Sequence, residues 1–266
     1  MDLQDVKAVD IRRIVLEESK RANVGHVGSC LCIADILAVL YGKVLRIPSL
    51  KDGERDRFIL SKGHAALALY AVFCLKGWLD RKKLKTFCAG STALGVHPDR
   101  TLEGVDFCTG SLGMGLSFGA GAALAARLQD SPRRVFVLLS DAECNEGSVW
   151  ETAMFAAQKS LANLTAIVDF NGQQAVGYTK DVIDLSNSAE RWRAFGWDVH
   201  EADGHDIPKM QGIFENLNYK KGKPHILIAH TTFGKGVSYM ENKIKWHYYP
   251  MSDPEYQKAI AELETQ

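Results

Sequence analysis

The sequence has little that would tie it to a polyanion or a membrane. Lys and Arg number 32, as do Asp and Glu, and no basic arm or acidic tail breaks that balance. Nucleic acid and anionic membrane surfaces are therefore not the expected partners. No stretch approaches the roughly 20 consecutive apolar residues of a membrane helix. The N-terminus, MDLQDVKAVDIRRIVLEESK, is charged and amphipathic, without the apolar core or cleavage site of a secretory leader. The cysteines (Cys30, Cys32, Cys74, Cys88, Cys108 and Cys144) show no C-x-x-C spacing, and Cys30-Leu31-Cys32 is too tight for a zinc pair. Thiols lying mostly inside apolar runs point to reduced, buried side chains in a cytoplasm. A dinucleotide-binding glycine motif is also missing. The run Gly110, Gly113, Gly115, Gly119, Gly121 has Phe118 where G-x-G-x-x-G needs glycine, and no clear strand precedes it.

What is present reads as an α/β protein. Helical spacing of apolar residues covers 5–22 and 30–46. Phe58 to Leu60 is a short strand leading into Ser61-Lys62-Gly63-His64, and a helix from Ala65 to Leu75 stops near Gly77. Residues 88–109 read as irregular, and 111–128 as an Ala/Gly-rich helix in which Gly119 and Gly121 allow close packing. Beyond a polar loop over 172–190, helices near 187–195 and 207–217 alternate with strands near 197–201 and 225–229. Residues 231–250 read as a long loop, and a short helix closes the chain. Alternating strands and helices predict a parallel sheet with helices on both faces. No repeat, low-complexity tract or linker divides the chain, so one domain over 1–266 is expected.

The most informative stretch is Val135 to Asn171, VFVLLSDAECNEGSVWETAMFAAQKSLANLTAIVDFN. Two apolar strands flank a helix, and each strand ends on oxygen-bearing side chains. In a β-α-β unit the strands are parallel, so both exits lie on one edge of the sheet, where ligands bind. Asp141, Asn171 and the main-chain carbonyl of Gln173 would together suit an octahedral magnesium ion carrying phosphate oxygens. The helix that follows Asp141 favours an anion at its start. The competing reading is that Asp141 and Glu146 only cap that helix.

With these residues in place, the stretch resembles the thiamine-diphosphate motif of the transketolase family. That motif runs Gly-Asp-Gly, then Glu, then Asn about thirty residues on, and Asp141, Glu146 and Asn171 match it; Trp150-Glu151 also fits. Gly25-His26-Val27-Gly28, Leu60 to Ala65, Gly95-Val96-His97-Pro98, Thr109 to Gly115 and Trp246-His247 are similar to further family motifs in the same order. The resemblance implies a thiamine-diphosphate-binding fold, here its diphosphate-binding domain. It implies His64, Ser111, Leu112, Gly113, Asp141, Ala142, Glu146, Asn171 and His247 as cofactor contacts, and Asp141, Asn171 and Gln173 as ligands to Mg2+ (or Ca2+ or Mn2+). His26, His97 and His247 would face the sugar's hydroxyls and move protons. His200, His205, His225 and His230 match no motif, and His230 reads as structural.

The resemblance also implies transfer of a two-carbon ketol unit from a ketose or its phosphate to an aldose. The chain reads as ending soon after the first domain, and nothing in it looks like the second domain, which supplies a glutamate to the cofactor's pyrimidine. A separate C-terminal transketolase subunit, in a two-plus-two heterotetramer, is therefore expected to complete the site, and the chain alone to be inactive. Several departures stand out. Ser140 and Ala142 replace both motif glycines, Val176 stands where relatives often carry Asp, and Tyr248-Tyr249 replaces a Gly-containing segment. Ser140, Ala142 and the tyrosines motivate one other reading, a non-catalytic regulatory subunit. Half of a 1-deoxyxylulose-phosphate synthase-like enzyme or the α subunit of a 2-oxo acid dehydrogenase is a nearer rival, against which the His26, His64 and His97 set favours ketose chemistry.

Overall fold

The computed structural model describes residues 6–90 and 92–265. A parallel sheet of β1 (Arg57–Leu60), β2 (Val135–Ser140), β3 (Leu164–Phe170), β6 (Asp198–Asp203) and β7 (His225–His230) runs in the order β1-β2-β3-β7-β6. Two further strands, β4 (Gln173–Gln174) and β5 (Gly177–Tyr178), form a small antiparallel hairpin.

The central strands are apolar on both sides because both sides are covered. Phe136 and Leu138 of β2 join one core cluster, while Val135, Val137 and Leu139 join the other. Helices Ala8–Ala22, Ala66–Leu75, Ile207–Asn216 and Asp253–Leu263 supply the first cluster. Helices Met114–Leu128, Gly147–Gln158 and Ser188–Ala194 supply the second. This is the expected parallel sheet with helices on both faces, and helix and strand positions follow the sequence reading to within a few residues. The Ala/Gly helix packs closely, since a Cβ on Gly119 would lie 2.3 Å from Val137. Gly121 has no such role, for nothing lies within 4 Å of its Cβ position.

Three further expectations need correction. The helical stretch Val27–Val44, 18 residues, is long and apolar enough to cross a membrane, but 89% of it is buried inside the fold, as in a core helix. Cys30, Cys32 and Cys144 are buried as expected, whereas Cys88 and Cys108 are exposed and Cys74 is partly so; all six are free. The polar loop at 172–190 holds the β4–β5 hairpin and a turn of helix at Thr179–Val182. Two-residue strands carry no periodicity that a sequence could show.

The register fixes where the site lies. Ser140 pairs with Asp169 across β2 and β3, and Phe170 pairs with His230 across β3 and β7. The segments that follow β1, β2, β3 and β7 therefore leave the same sheet edge, and they begin with Ser61, Asp141, Asn171 and Thr231.

Candidate active site

A cavity of about 130 Å3 opens at this edge, lined by His26, Ser29, Lys62, His64, Leu112, Ser140, Ala142, Asn171, Gln173, Gln174, Ala175 and His247. A larger one of about 530 Å3 lies at the opposite edge among Arg46, Arg127, Arg133 and Arg134. There Asp56 binds Arg46 and Arg134, while the carbonyls of Lys159 and Ser160 take Arg127. Those cations bind protein groups, so the smaller, histidine-lined cavity is the candidate site.

Asp141 follows β2 and is fully buried. Its Oδ1 accepts from Ala142 N at 2.9 Å, and its Oδ2 accepts from Gly172 N at 3.0 Å and Thr179 Oγ1 at 2.7 Å. Burial raises its pKa to about 7 despite these bonds. A buried carboxylate without a bound cation is costly, and a divalent ion beside it would offset that cost. Asn171 Oδ1 accepts a hydrogen bond from Gln173 N at 2.9 Å. Both side-chain polar atoms of Gln173 are buried and unpaired among the described residues. These oxygen donors suit a hard metal with phosphate oxygens. Asp141 does cap a turn, but that of the 3-10 segment Ala142–Asn145 and not the helix Gly147–Gln158, whose N-cap is Glu146.

Behind this group lies a buried ion pair. Lys62 Nζ donates to Asp169, which also accepts from Thr231 Oγ1, from Asn171 Nδ2 at 2.8 Å and from Cys32 Sγ at 3.1 Å. Burial works against the charge on Lys62, but the Asp169 carboxylate holds its pKa above the ordinary lysine value. Burial likewise works against Asp169, and Lys62 holds it below the usual carboxylate range.

The motif histidines come together. Ring centroids lie 4.8 Å apart for His26 and His64, 4.3 Å for His64 and His97, and 6.1 Å for His26 and His247. His247 stacks on Phe233 at 4.7 Å, and its buried Nδ1 has no partner among the described residues. Burial first, then neighbouring cations, lowers the pKa of His26 and brings those of His64 and His247 down to about 4. At neutral pH these three rings are uncharged, so each offers one donor and one acceptor nitrogen for proton transfer.

The same depression has a stability consequence. A histidine with pKa near 4 when folded and near 6.5 when unfolded binds its proton more readily in the unfolded chain. Its contribution is complete above about pH 6.5 and lost as pH falls toward about 4. Asp141 titrates with the opposite sign, so the comparison must be between proteins. His64→Asn and His247→Asn should each reduce the drop in urea midpoint between about pH 7 and about pH 4.5 relative to wild type. Parallel pH profiles would refute the assignment.

The glycine turn also forms. Gly113 has φ +84°, and a Cβ there would meet Glu146 Cβ and Ser148 Oγ at 2.6 Å. Gly113 N donates to Glu143 Oε1 at 2.9 Å. Ser111 is exposed, and Leu112 lines the cavity. Glu146 is exposed beside Gly113, with no capping bond from its side chain, and it does not line the cavity. His97 touches His64 but is itself exposed. The Tyr248 hydroxyl donates to the Ala175 carbonyl, tying the segment after His247 to the hairpin.

Sequence reasoning assigned no role to Lys62, Glu143, Thr179 or Thr231. Lys62 stood inside a quoted motif and Asp169 at a strand exit, so a signal existed for both. Glu143 is fully buried and accepts from Ser61 Oγ, Gly113 N and Ser140 N at 2.5, 2.9 and 3.0 Å. Nothing local distinguishes it from the exposed Glu146. His205, without an expected role, links Asp35 to Thr232 N. His200 and His225 bind Asp198 near the start of β6 and β7, at the far edge.

Comparison with known proteins agrees with this geometry. The family model for "Transketolase, thiamine diphosphate binding domain" matches residues 4–265. A 6-deoxy-6-sulfo-D-fructose transketolase subunit of Clostridium sp. (strain MSTE9) is 40% identical over 99% of this chain and 97% of its own length. An apulose-4-phosphate transketolase subunit of Phocaeicola vulgatus is 39% identical over 95% of this chain and 90% of its own length. Among solved structures, transketolase from Campylobacter jejuni superposes with a TM-score of 0.90 at 29% identity, covering 99% of this chain. The chain spans 43% of that structure's chain. It spans 40% of human transketolase, to which it is 36% identical. The chain belongs to the transketolase family and corresponds to its thiamine-diphosphate-binding domain.

Proposed function

We propose that residues 1–266 act as the N-terminal, diphosphate-binding subunit of a two-component transketolase, a transferase that moves a two-carbon ketol unit from a ketose or ketose phosphate to an aldose. The observation that carries this is the likeness to transketolase subunits: relatives matched over 97% and 90% of their own length are named as such. A C-terminal subunit would then bring the pyrimidine-binding half, in a two-plus-two heterotetramer. Glu146, exposed beside Gly113, supports this, because it faces outward next to the turn that a pyrimidine ring would approach. Six free cysteines fit a cytoplasmic setting.

Asp141, Asn171 and the Gln173 carbonyl would hold a divalent metal, and Ala142 and His64 would contact the diphosphate. Thiamine diphosphate, when bound, supplies the carbon nucleophile and the electron sink for breaking the ketose C–C bond. Around it, the protein orients substrate and moves protons. His26 and His247 line the cavity as neutral rings, able to give a proton to a developing alkoxide and to take one from a hydroxyl. His97 extends the row toward solvent, where the sugar would enter.

The test is reconstitution with the pyrimidine-binding subunit, followed by assays with ketose phosphates and with pyruvate. Cofactor-dependent ketol transfer is expected from a ketose donor, with none from this chain alone. Turnover of pyruvate instead would favour a synthase-like or dehydrogenase half. Tight cofactor binding without turnover of any donor would favour a non-catalytic subunit.

A further inference from the structure

Native proteins leave few buried polar side-chain atoms unpaired. Among the described residues eight are, and four of them sit on Asn145, Gln173 and Gln174, where the β4–β5 hairpin meets the turn after β2. Gln173 and Gln174 are only 3% and 6% exposed. Asn145 Nδ2 donates to Gln174 Oε1 at 3.1 Å, which leaves Asn145 Oδ1 and Gln174 Nε2 open. Gln173 is the extreme case, with neither Oε1 nor Nε2 paired. Its main-chain N–H already holds Asn171 Oδ1, and the residue lines the cavity.

A buried amide that bonds to nothing is destabilising relative to an apolar side chain of the same volume. Methionine would fill this space without that cost, so the amide points to a partner outside the protein. We propose that the side-chain amide of Gln173 contacts the bound metal–diphosphate group directly, in addition to any role of its main-chain carbonyl. Its Nε2 suits a diphosphate oxygen, and its Oε1 suits the metal or a metal-bound water. The inference rests on the reading of this cavity as a thiamine-diphosphate site and adds one contact to it.

The experiment pairs an affinity with a stability. Wild type and Gln173→Met, each reconstituted with the pyrimidine-binding subunit, are titrated with thiamine diphosphate in magnesium, and the melting temperatures of the two chains are measured without cofactor. The expected result is a Kd about tenfold higher in the variant, the size of a hydrogen bond to a charged group, with a ligand-free melting temperature equal to or above that of wild type. An increase of less than about threefold overturns the inference. A lower ligand-free melting temperature also overturns it, because the amide would then have a partner within the protein. If the wild-type complex does not bind the cofactor at all, the functional reading itself fails; if it binds and the variant complex binds equally well, only the Gln173 contact fails.

Discussion

Asp141→Ala should abolish magnesium-dependent retention of thiamine diphosphate, raising the cofactor Kd by at least about 100-fold, the upper end of what losing a supporting residue around a metal costs. Asp141 is the carboxylate at the two strand exits that is left for a cation. Asp169 is committed to Lys62, Glu143 to Ser61, Gly113 and Ser140, and Glu146 faces solvent. The alanine variant should nevertheless fold. Asp141 has a pKa raised to about 7 by burial, so without metal it is strained as an anion at neutral pH. Its sign is that of a raised acid: the contribution to stability is complete below the unfolded value and lost as pH rises through about 7. Asp141→Asn should keep the bond from Ala142 N and still lose most metal dependence, because the charge is what attracts the ion. The measurement is cofactor binding with magnesium and with chelator. Undiminished magnesium dependence in Asp141→Ala would remove Asp141 from the metal.

How much of this was legible follows from which signals are local. Asp141 and Asn171 could be read because each ends an apolar run, and parallel strands bring their exits together. The histidines could be read only through their flanking motifs; no periodicity shows that residues 26, 64, 97 and 247 converge. The Lys62–Asp169 pair joins side chains 107 positions apart. It depends on β1 and β3 flanking β2, an order that the sequence does not state. Glu143 and Glu146 differ in burial because a 3-10 turn at Ala142–Asn145 intervenes before the helix, folding the first carboxylate under Gly113. The unpaired amides of Gln173 and Gln174 sit on a hairpin too short to leave a pattern. Val27–Val44 shows the reverse case: its composition suits a bilayer, and only its burial inside the fold marks it as core.

Lys62→Met should destabilise the protein by about 3–5 kcal/mol, the usual consequence of removing one partner from a buried ion pair. The cause is less the lost attraction than what is left behind, a fully buried Asp169 without its cation. Adding Asp169→Asn to Lys62→Met should therefore recover a good part of the loss. The asparagine still accepts from Thr231, and no uncompensated charge remains. A double variant no more stable than Lys62→Met would show that packing, not charge, sets the cost. The pair also bears on function. The Lys62 cation helps depress His26, His64 and His247. In the double variant their pKa values should rise in part, because that repulsion is gone while burial, the larger cause, remains; at His247 the loss of the Asp169 charge offsets some of the rise. The acid limb of the pH–rate profile of the reconstituted enzyme should then move to higher pH. Denaturant titration reads the first effect and the pH profile the second. Recovered stability with a displaced profile would show that this buried pair serves the histidines rather than the fold.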